Sequence, residues 1–191
     1  MNESSYQEAL NYLYNLTQSG IKLGLKNTAR LLQHFGDPQL KIRTIHIAGT
    51  NGKGSTAAIT ESILRASGYK VGLYTSPHLL DFRERIQTNR RMIEKQQTFD
   101  LITRIKSAVE KIKIPITFFE FGTVLAFLYF NEQNTDINII EVGLGGRLDA
   151  TNLCQAEISI ITSISRDHTQ YLGEDLKQIA FEKASIIKES G

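Results

Sequence analysis

Ala48-Gly49-Thr50-Asn51-Gly52-Lys53-Gly54-Ser55-Thr56 sets three glycines, a lysine and several hydroxyl side chains between two periodic segments. On its N-terminal side, Thr44-Ile45-His46-Ile47-Ala48 is a short β-branched run that predicts a buried strand. On its C-terminal side, residues 55–66 predict a helix, with Gly68 as the stop. A glycine-rich turn from strand to helix aims backbone N–H groups and the positive end of the helix dipole at one point, a ready-made site for polyphosphate. Glycines let the backbone come close to the oxygens. Lys53 would add a point charge at the β- and γ-phosphates. The general template GxxxxGK[ST] is not matched, because Gly49 precedes Lys53 by four positions rather than six and Gly54 stands where a hydroxyl should follow the lysine. A glycine turn with a solvent-exposed lysine is the bland alternative. The combination of residues and its place between strand and helix favour a bound polyphosphate, held by Gly49, Thr50, Asn51, Gly52, Lys53, Gly54, Ser55 and Thr56.

Outward from this loop the pattern is α/β. Residues 70–75 predict a second strand, completing a βαβ unit. Residues 137–142 and 158–164 predict strands too apolar to have a wet face, as in a largely parallel sheet covered by helices. Helices are predicted over 5–18, with Ser5 and Glu8 as a capping box, and over 26–35. Further helices are predicted over 98–112, closed by Pro115; over 118–132, apolar nearly all round; and over 174–188. There is no repeat or interdomain linker, so residues 1–191 are read as one unit.

Bulk composition narrows the class. The 191 residues are 41% hydrophobic and 22% charged, ordinary for a globular chain, and 22 basic against 20 acidic side chains leave a net charge of +2. That balance gives no nucleic-acid footprint. The single cysteine, Cys154, builds neither an internal disulfide nor a zinc cage and reads as a small buried hydrophobe. The N-terminus lacks a signal-peptide layout, and no apolar run approaches the ~20 residues needed to span a bilayer. A cytoplasmic monomer with small-molecule partners, and neither nucleic acid nor membrane, is expected.

Gly49-Thr50-Asn51-Gly52-Lys53-Gly54-Ser55 resembles the phosphate loop of the Mur ligase superfamily in its folylpolyglutamate synthase/dihydrofolate synthase branch. Other segments follow in that family's order: Ile21-Lys22-Leu23-Gly24-Leu25, Thr75-Ser76-Pro77-His78-Leu79 with Glu84-Arg85-Ile86, and Thr117-Phe118-Phe119-Glu120. Then come residues 141–152, from Glu141-Val142-Gly143 to Asp149-Ala150-Thr151-Asn152, and finally Asp167-His168 and Glu182-Lys183-Ala184. The resemblance implies an ATP-dependent ligase that adds L-glutamate to a dihydropteroate or folate through an acyl phosphate. It also implies that 1–191 is the N-terminal, ATP-binding portion, incomplete and without the C-terminal glutamate-ligase domain. A nucleotide-binding module without turnover of its own is the alternative. A P-loop kinase or GTPase fits the glycine spacing worse, and a ligase acting on cell-wall precursors fits residues 145–152 worse.

Several side chains sit where ligands collect in parallel sheets, at the C-terminal ends of strands. Ser76 and His168 each follow a predicted strand and Glu141 closes one, and the resemblance implies the same three as ligands of Mg²⁺. Individually, Ser76 before Pro77 could be a turn residue and His168 a capped loop histidine. Glu141 is harder to dismiss, since an unpaired buried charge is expensive. With Gly54 lacking a hydroxyl, one from Ser76 would be wanted. Lys183 could be a surface lysine beside Glu182; the resemblance implies a carbamylated lysine, whose negative charge suits a cation site. Lys53, Lys183 and His78 are the expected catalytic residues, with His78 and Arg85 facing the acid or the transferred phosphate. Phe82, Phe118 and Phe119 are plausible walls for a flat ring. The resemblance implies substrate contacts at Gly20, Ile21, Lys22, Thr117, Leu148, Asp149 and Ala150, with the Asp149 carboxylate meeting ring N–H groups.

Overall fold

The computed structural model describes residues 3–20 and 22–188. Helix α1 (Glu3–Asn15) runs into a 3-10 turn, Leu16–Ser19, and is followed by α2 (Lys26–His34). Next come β1 (Thr44–Ala48), α3 (Lys53–Ala66), β2 (Val71–Tyr74) and a small hairpin, β3 (Ile86–Thr88) with β4 (Arg91–Met92). The rest is α4 (Lys95–Ile112), α5 (Phe118–Gln133), β5 (Ile137–Glu141), β6 (Ala156–Ile161), α6 (Thr169–Leu172) and α7 (Leu176–Ala184). The sheet order is β4-β3-β2-β5-β1-β6; β2, β5, β1 and β6 run parallel, and β3 and β4 are antiparallel. The largely parallel α/β sheet expected from the apolar strands is therefore what forms.

Alternation along the strands divides the core into two layers. Ile45, Ile47, Val71, Leu73, Ile137 and Ile139 face α3, meeting Ala57 and Leu64. Tyr74 and Ile140 face the other way, into the larger cluster built by α1, α2, α4 and α5. Helix α5 is buried at every position from Glu120 to Phe130, which is why its sequence shows no polar face. It presses so closely on the sheet that a Cβ at Gly72 would lie 2.8 Å from the Phe130 ring.

Some expectations need correction. β1 and β2 are not neighbours, because β5 lies between them, so the βαβ crossover spans an inserted strand. β6 does have a wet face: it is an edge strand and Ile158 is 52% exposed. Ser5 lies inside α1, which begins at Glu3, so it does not cap; Ser4 Oγ donates to Glu8 instead. Helix α4 starts at Lys95 under a Glu94/Gln97 capping box and ends at left-handed Lys113, two residues before Pro115. The predicted helix over 174–188 is shorter, capped by Asp175 and ending at Ala184. Among the described residues no helix is long and apolar enough to cross a membrane.

Candidate active site

The loop after β1 is shaped by two glycines. Gly49 has φ +146° and sits so close to the segment after β6 that an added Cβ would be 1.8 Å from Thr162 Oγ1. Gly52, at φ +85°, is the N-cap of α3, a conformation free of strain only without a Cβ. Helix α3 therefore begins at Lys53 itself, two residues earlier than predicted. The N–H groups of its first turn have no intrahelical partner and point out of the helix end. Lys53 Nζ folds back onto the loop, donating to Gly49 O at 3.0 Å and Thr50 O at 3.2 Å.

Residues 162–165 strap this loop in place, a role the sequence did not announce. Thr50 N donates to Ser163 O at 2.7 Å, and Asn51 N donates to Ser163 Oγ at 3.1 Å. Thr162 Oγ1 donates to Asn51 O at 2.8 Å. The Thr50 hydroxyl donates to Ser165 O and accepts from Ser165 N, so it braces the strap and is not free to face a phosphate.

At the end of β5, Glu141 is 5% exposed. Its Oε2 accepts the Ser76 N–H at 3.1 Å, and both carboxylate oxygens lie 3.8 Å from where a Gly54 Cβ would be. Burial raises its pKa, against the opposing pull of the Ser76 N–H, Lys53 and Arg85. The carboxylate thus joins the start of α3 to the segment after β2, in an environment that would gain from a cation. Among the described residues no three His, Cys, Asp or Glu side chains gather into a metal cluster. A hard cation that takes hydroxyl, water and phosphate oxygens needs few protein carboxylates.

A cavity of about 460 Å³ opens beside this junction, and Ser76, Pro77, Arg85 and His168 line it. So do Gly20, Lys22, Thr117, Leu148, Asp149 and Ala150, the predicted substrate-side residues; Ile21 lies outside the described residues. Phe118 and Phe119 form its aromatic wall, whereas Phe82 is fully buried behind them, edge-on to Phe118. A groove of similar volume between α2 and α4 carries none of the predicted residues. Thr117 caps α5 in a reciprocal box with Glu120, and Glu120 in turn accepts from Thr28 at 3.0 Å.

Asp149 differs from expectation. Its Oδ2 accepts from Gly143 N and Leu144 N, and its Oδ1 from Thr151 N and Oγ1, so both oxygens turn into the loop rather than toward a ring. Burial raises its pKa against these four donors. His78 also sits apart from the cavity lining. Its Nδ1 accepts from Arg85 Nε at 2.6 Å, which orients the Arg85 guanidinium 5.0 Å above the Phe118 ring. Burial, then Arg85, lowers the His78 pKa, consistent with a neutral acceptor.

Lys183 is not a surface lysine. It is 3% exposed, and Nζ donates to Gly49 O at 3.0 Å, the same carbonyl that Lys53 reaches. Its neighbour Glu182 pairs with Arg147 instead. Burial, and then the Lys53 charge, lowers the Lys183 pKa. His168, left-handed at φ 48°, has its Nε2 3.6 Å from Asp167 Oδ2 and a half-exposed side chain.

The Mur ligase middle domain family matches residues 47–191. The dihydrofolate synthase/folylpolyglutamate synthase of Bacillus subtilis (strain 168) is 42% identical over 191 residues, covering 97% of this chain and 44% of that protein. The Escherichia coli (strain K12) protein of the same name is 42% identical over 179 residues, covering 94% and 42%. Among solved structures, E. coli FolC in complex with DHPP and ADP superposes with a TM-score of 0.91 at 40% identity, over 97% of this chain and 44% of that one. An FPGS–AMPPCP complex gives 0.91 at 37% identity, over 98% and 46%. The chain thus spans less than half the length of these relatives. With a family match over most of its length, and the phosphate loop, strand-end carboxylate and cavity in one place, the chain belongs to the Mur ligase family through its middle domain.

Proposed function

We propose that the protein carrying this chain is an ATP-dependent ligase that joins L-glutamate to a dihydropteroate or folate, with residues 1–191 as its ATP-binding portion. One observation carries this reading: the phosphate loop and the roomy aromatic-walled cavity meet at the Ser76–Glu141 junction. An acid lying in the cavity would present its carboxylate where a nucleotide's terminal phosphate would lie. The relatives' complexes with ADP, DHPP and AMPPCP support the same pairing of ligands.

In this reading the α3 N–H groups and Lys53 hold the β- and γ-phosphates. Phe118, Phe119 and Leu148 wall the ring, and Arg85, oriented by His78, receives the carboxylate. A carboxylate oxygen bonds to the γ-phosphorus as the bond to ADP breaks. The glutamate amine then bonds to the acyl carbon, phosphate leaves, and the amine gives up its proton. Catalysis of this kind is chiefly positioning and charge stabilisation. Glu141, Ser76 and His168 would hold Mg²⁺, which supplies positive charge to the phosphoryl oxygens when bound.

Lys183 fits carbamylation. Its amine is pushed toward the neutral, nucleophilic form by burial. Bonding of Nζ to CO₂, with loss of a proton, would replace a second cation beside Lys53 with an anion. Electron density at Nζ in a crystal grown at neutral pH tests this; a bare amine would count against it. The reading carries with it a cytoplasmic, monomeric enzyme.

The ligase claim is tested by incubating the complete protein with ATP, Mg²⁺, L-glutamate and either dihydropteroate or tetrahydrofolate. ADP and an amide product should form in equal amounts. ATP binding without turnover would leave only a nucleotide-binding module.

A further inference from the structure

His46 lies in the middle of β1, opposite Ile140 of β5 and Ser159 of β6, and is fully buried. Its Nε2 is 2.8 Å from Thr151 Oγ1, 105 residues along the chain, and its Nδ1 has no hydrogen-bond partner among the described residues. A buried imidazole nitrogen without a partner costs stability that an apolar residue would not. The other nitrogen therefore has to be worth keeping.

The hydrogen-bond directions can be followed outward. Asp149 accepts from Gly143 N, Leu144 N and Thr151 N, three donors that hold the carboxylate form against the burial that opposes it, and the Thr151 hydroxyl proton goes to Asp149 Oδ1. Thr151 Oγ1 is then left to accept, and His46 has to donate. That selects the neutral tautomer with hydrogen on Nε2 and leaves Nδ1 bare. The chain of bonds ends on the cavity, which Gly143, Leu144, Leu148, Asp149 and Ala150 line.

We propose that His46 is a positioning residue for the substrate cavity. Through Thr151 and Asp149 it fixes the loop of residues 143–150 that walls the cavity, from the strand whose end begins the phosphate loop. The identity of the occupant rests on the ligase reading; the positioning rests on the hydrogen-bond chain.

The test uses the complete protein. His46→Leu should raise KM for dihydropteroate or tetrahydrofolate about tenfold, with kcat and KM for ATP within about twofold. His46→Gln keeps a side-chain N–H and should recover most of the loss. Thr151→Val should raise the same KM, and the double variant His46→Leu/Thr151→Val should add little more. Nitrogen-15 spectra of the wild-type His46 ring should show a protonated Nε2 and a bare Nδ1. A proton on Nδ1, an unchanged KM in a folded His46→Leu protein, or additive effects in the double variant would overturn the proposal. If His46→Leu does not fold, the tautomer and the His46→Gln kinetics decide. A wild-type protein without turnover would count against the ligase reading, and the tautomer would still test His46.

Discussion

Gly49→Ala is the substitution whose cost can be worked most directly from the structure. At φ +146° the backbone of residue 49 is in a region that a side chain strains, at about 1–3 kcal/mol. The new Cβ would sit 1.8 Å from Thr162 Oγ1 and 3.1 Å from Thr162 Cβ and Ser163 N. Thr162 would have to turn away, giving up the hydroxyl hydrogen bond that it shares between Asn51 O and Ala48 O, worth about 0.5–1.5 kcal/mol. Together these give a loss of roughly 1.5–4.5 kcal/mol, or a drop in melting temperature of roughly 3–18 °C for a chain of this size. Calorimetry or chemical denaturation of Gly49→Ala, Thr162→Gly and the double variant measures it. Removing the Thr162 side chain first should take away part of the penalty, so the two changes should be non-additive. A loss below about 1 kcal/mol, or strict additivity, would refute the claim that the loop and the strap are packed against each other here.

Three further outcomes follow from the site. Glu141→Gln should abolish Mg²⁺-dependent turnover in a folded protein; full activity would remove Glu141 from the site. Because burial raises the Glu141 pKa above 4.5, its ionisation makes wild-type stability fall as pH rises through that raised pKa, and pH-dependent denaturation of Glu141→Gln should lack this component. Lys183→Met should abolish turnover, and it should also lose a rise in stability that the uncarbamylated wild type, in CO₂-free buffer, shows with increasing pH. The rise lies between the depressed folded pKa and 10.5, where only the unfolded chain keeps the proton. Thr117→Ala removes the cap of α5 and should cost about 1–2 kcal/mol in denaturation experiments.

What could be read in advance was local, and what could not was long-range or masked by brevity. The strand, loop and helix around Gly49–Thr56 announce themselves because glycine, lysine and β-branched runs act on adjacent residues. The β3–β4 hairpin leaves no periodic signal, because three and two residues are too few for a period. Its one signal was Asn89-Arg90, both left-handed as a two-residue hairpin turn requires. The Thr117/Glu120 capping box has its usual spacing in the sequence, but the apolar run after it dominates the pattern. β6 looked doubly buried from its isoleucines, yet edge position is set by sheet order, which no single segment encodes. In the site, the cavity-lining residues Gly20, Lys22, Thr117, Leu148, Asp149 and Ala150 are legible only through the family resemblance, and the structure brings them together. The strap at Thr162–Ser165 and the burial of Lys183 against Gly49 depend on contacts across more than a hundred residues, and the inward turn of Asp149 depends on how its own loop folds back on Gly143, Leu144 and Thr151. Hydropathy and spacing carry no trace of them.

The acyl-phosphate chemistry can be tested at the atom that changes hands. If the pteroyl carboxylate carries oxygen-18 and the complete protein turns over with ATP, Mg²⁺ and L-glutamate, each phosphate released should contain one oxygen-18 atom, drawn from that carboxylate. Turnover that yields amide with unlabelled phosphate would contradict the account.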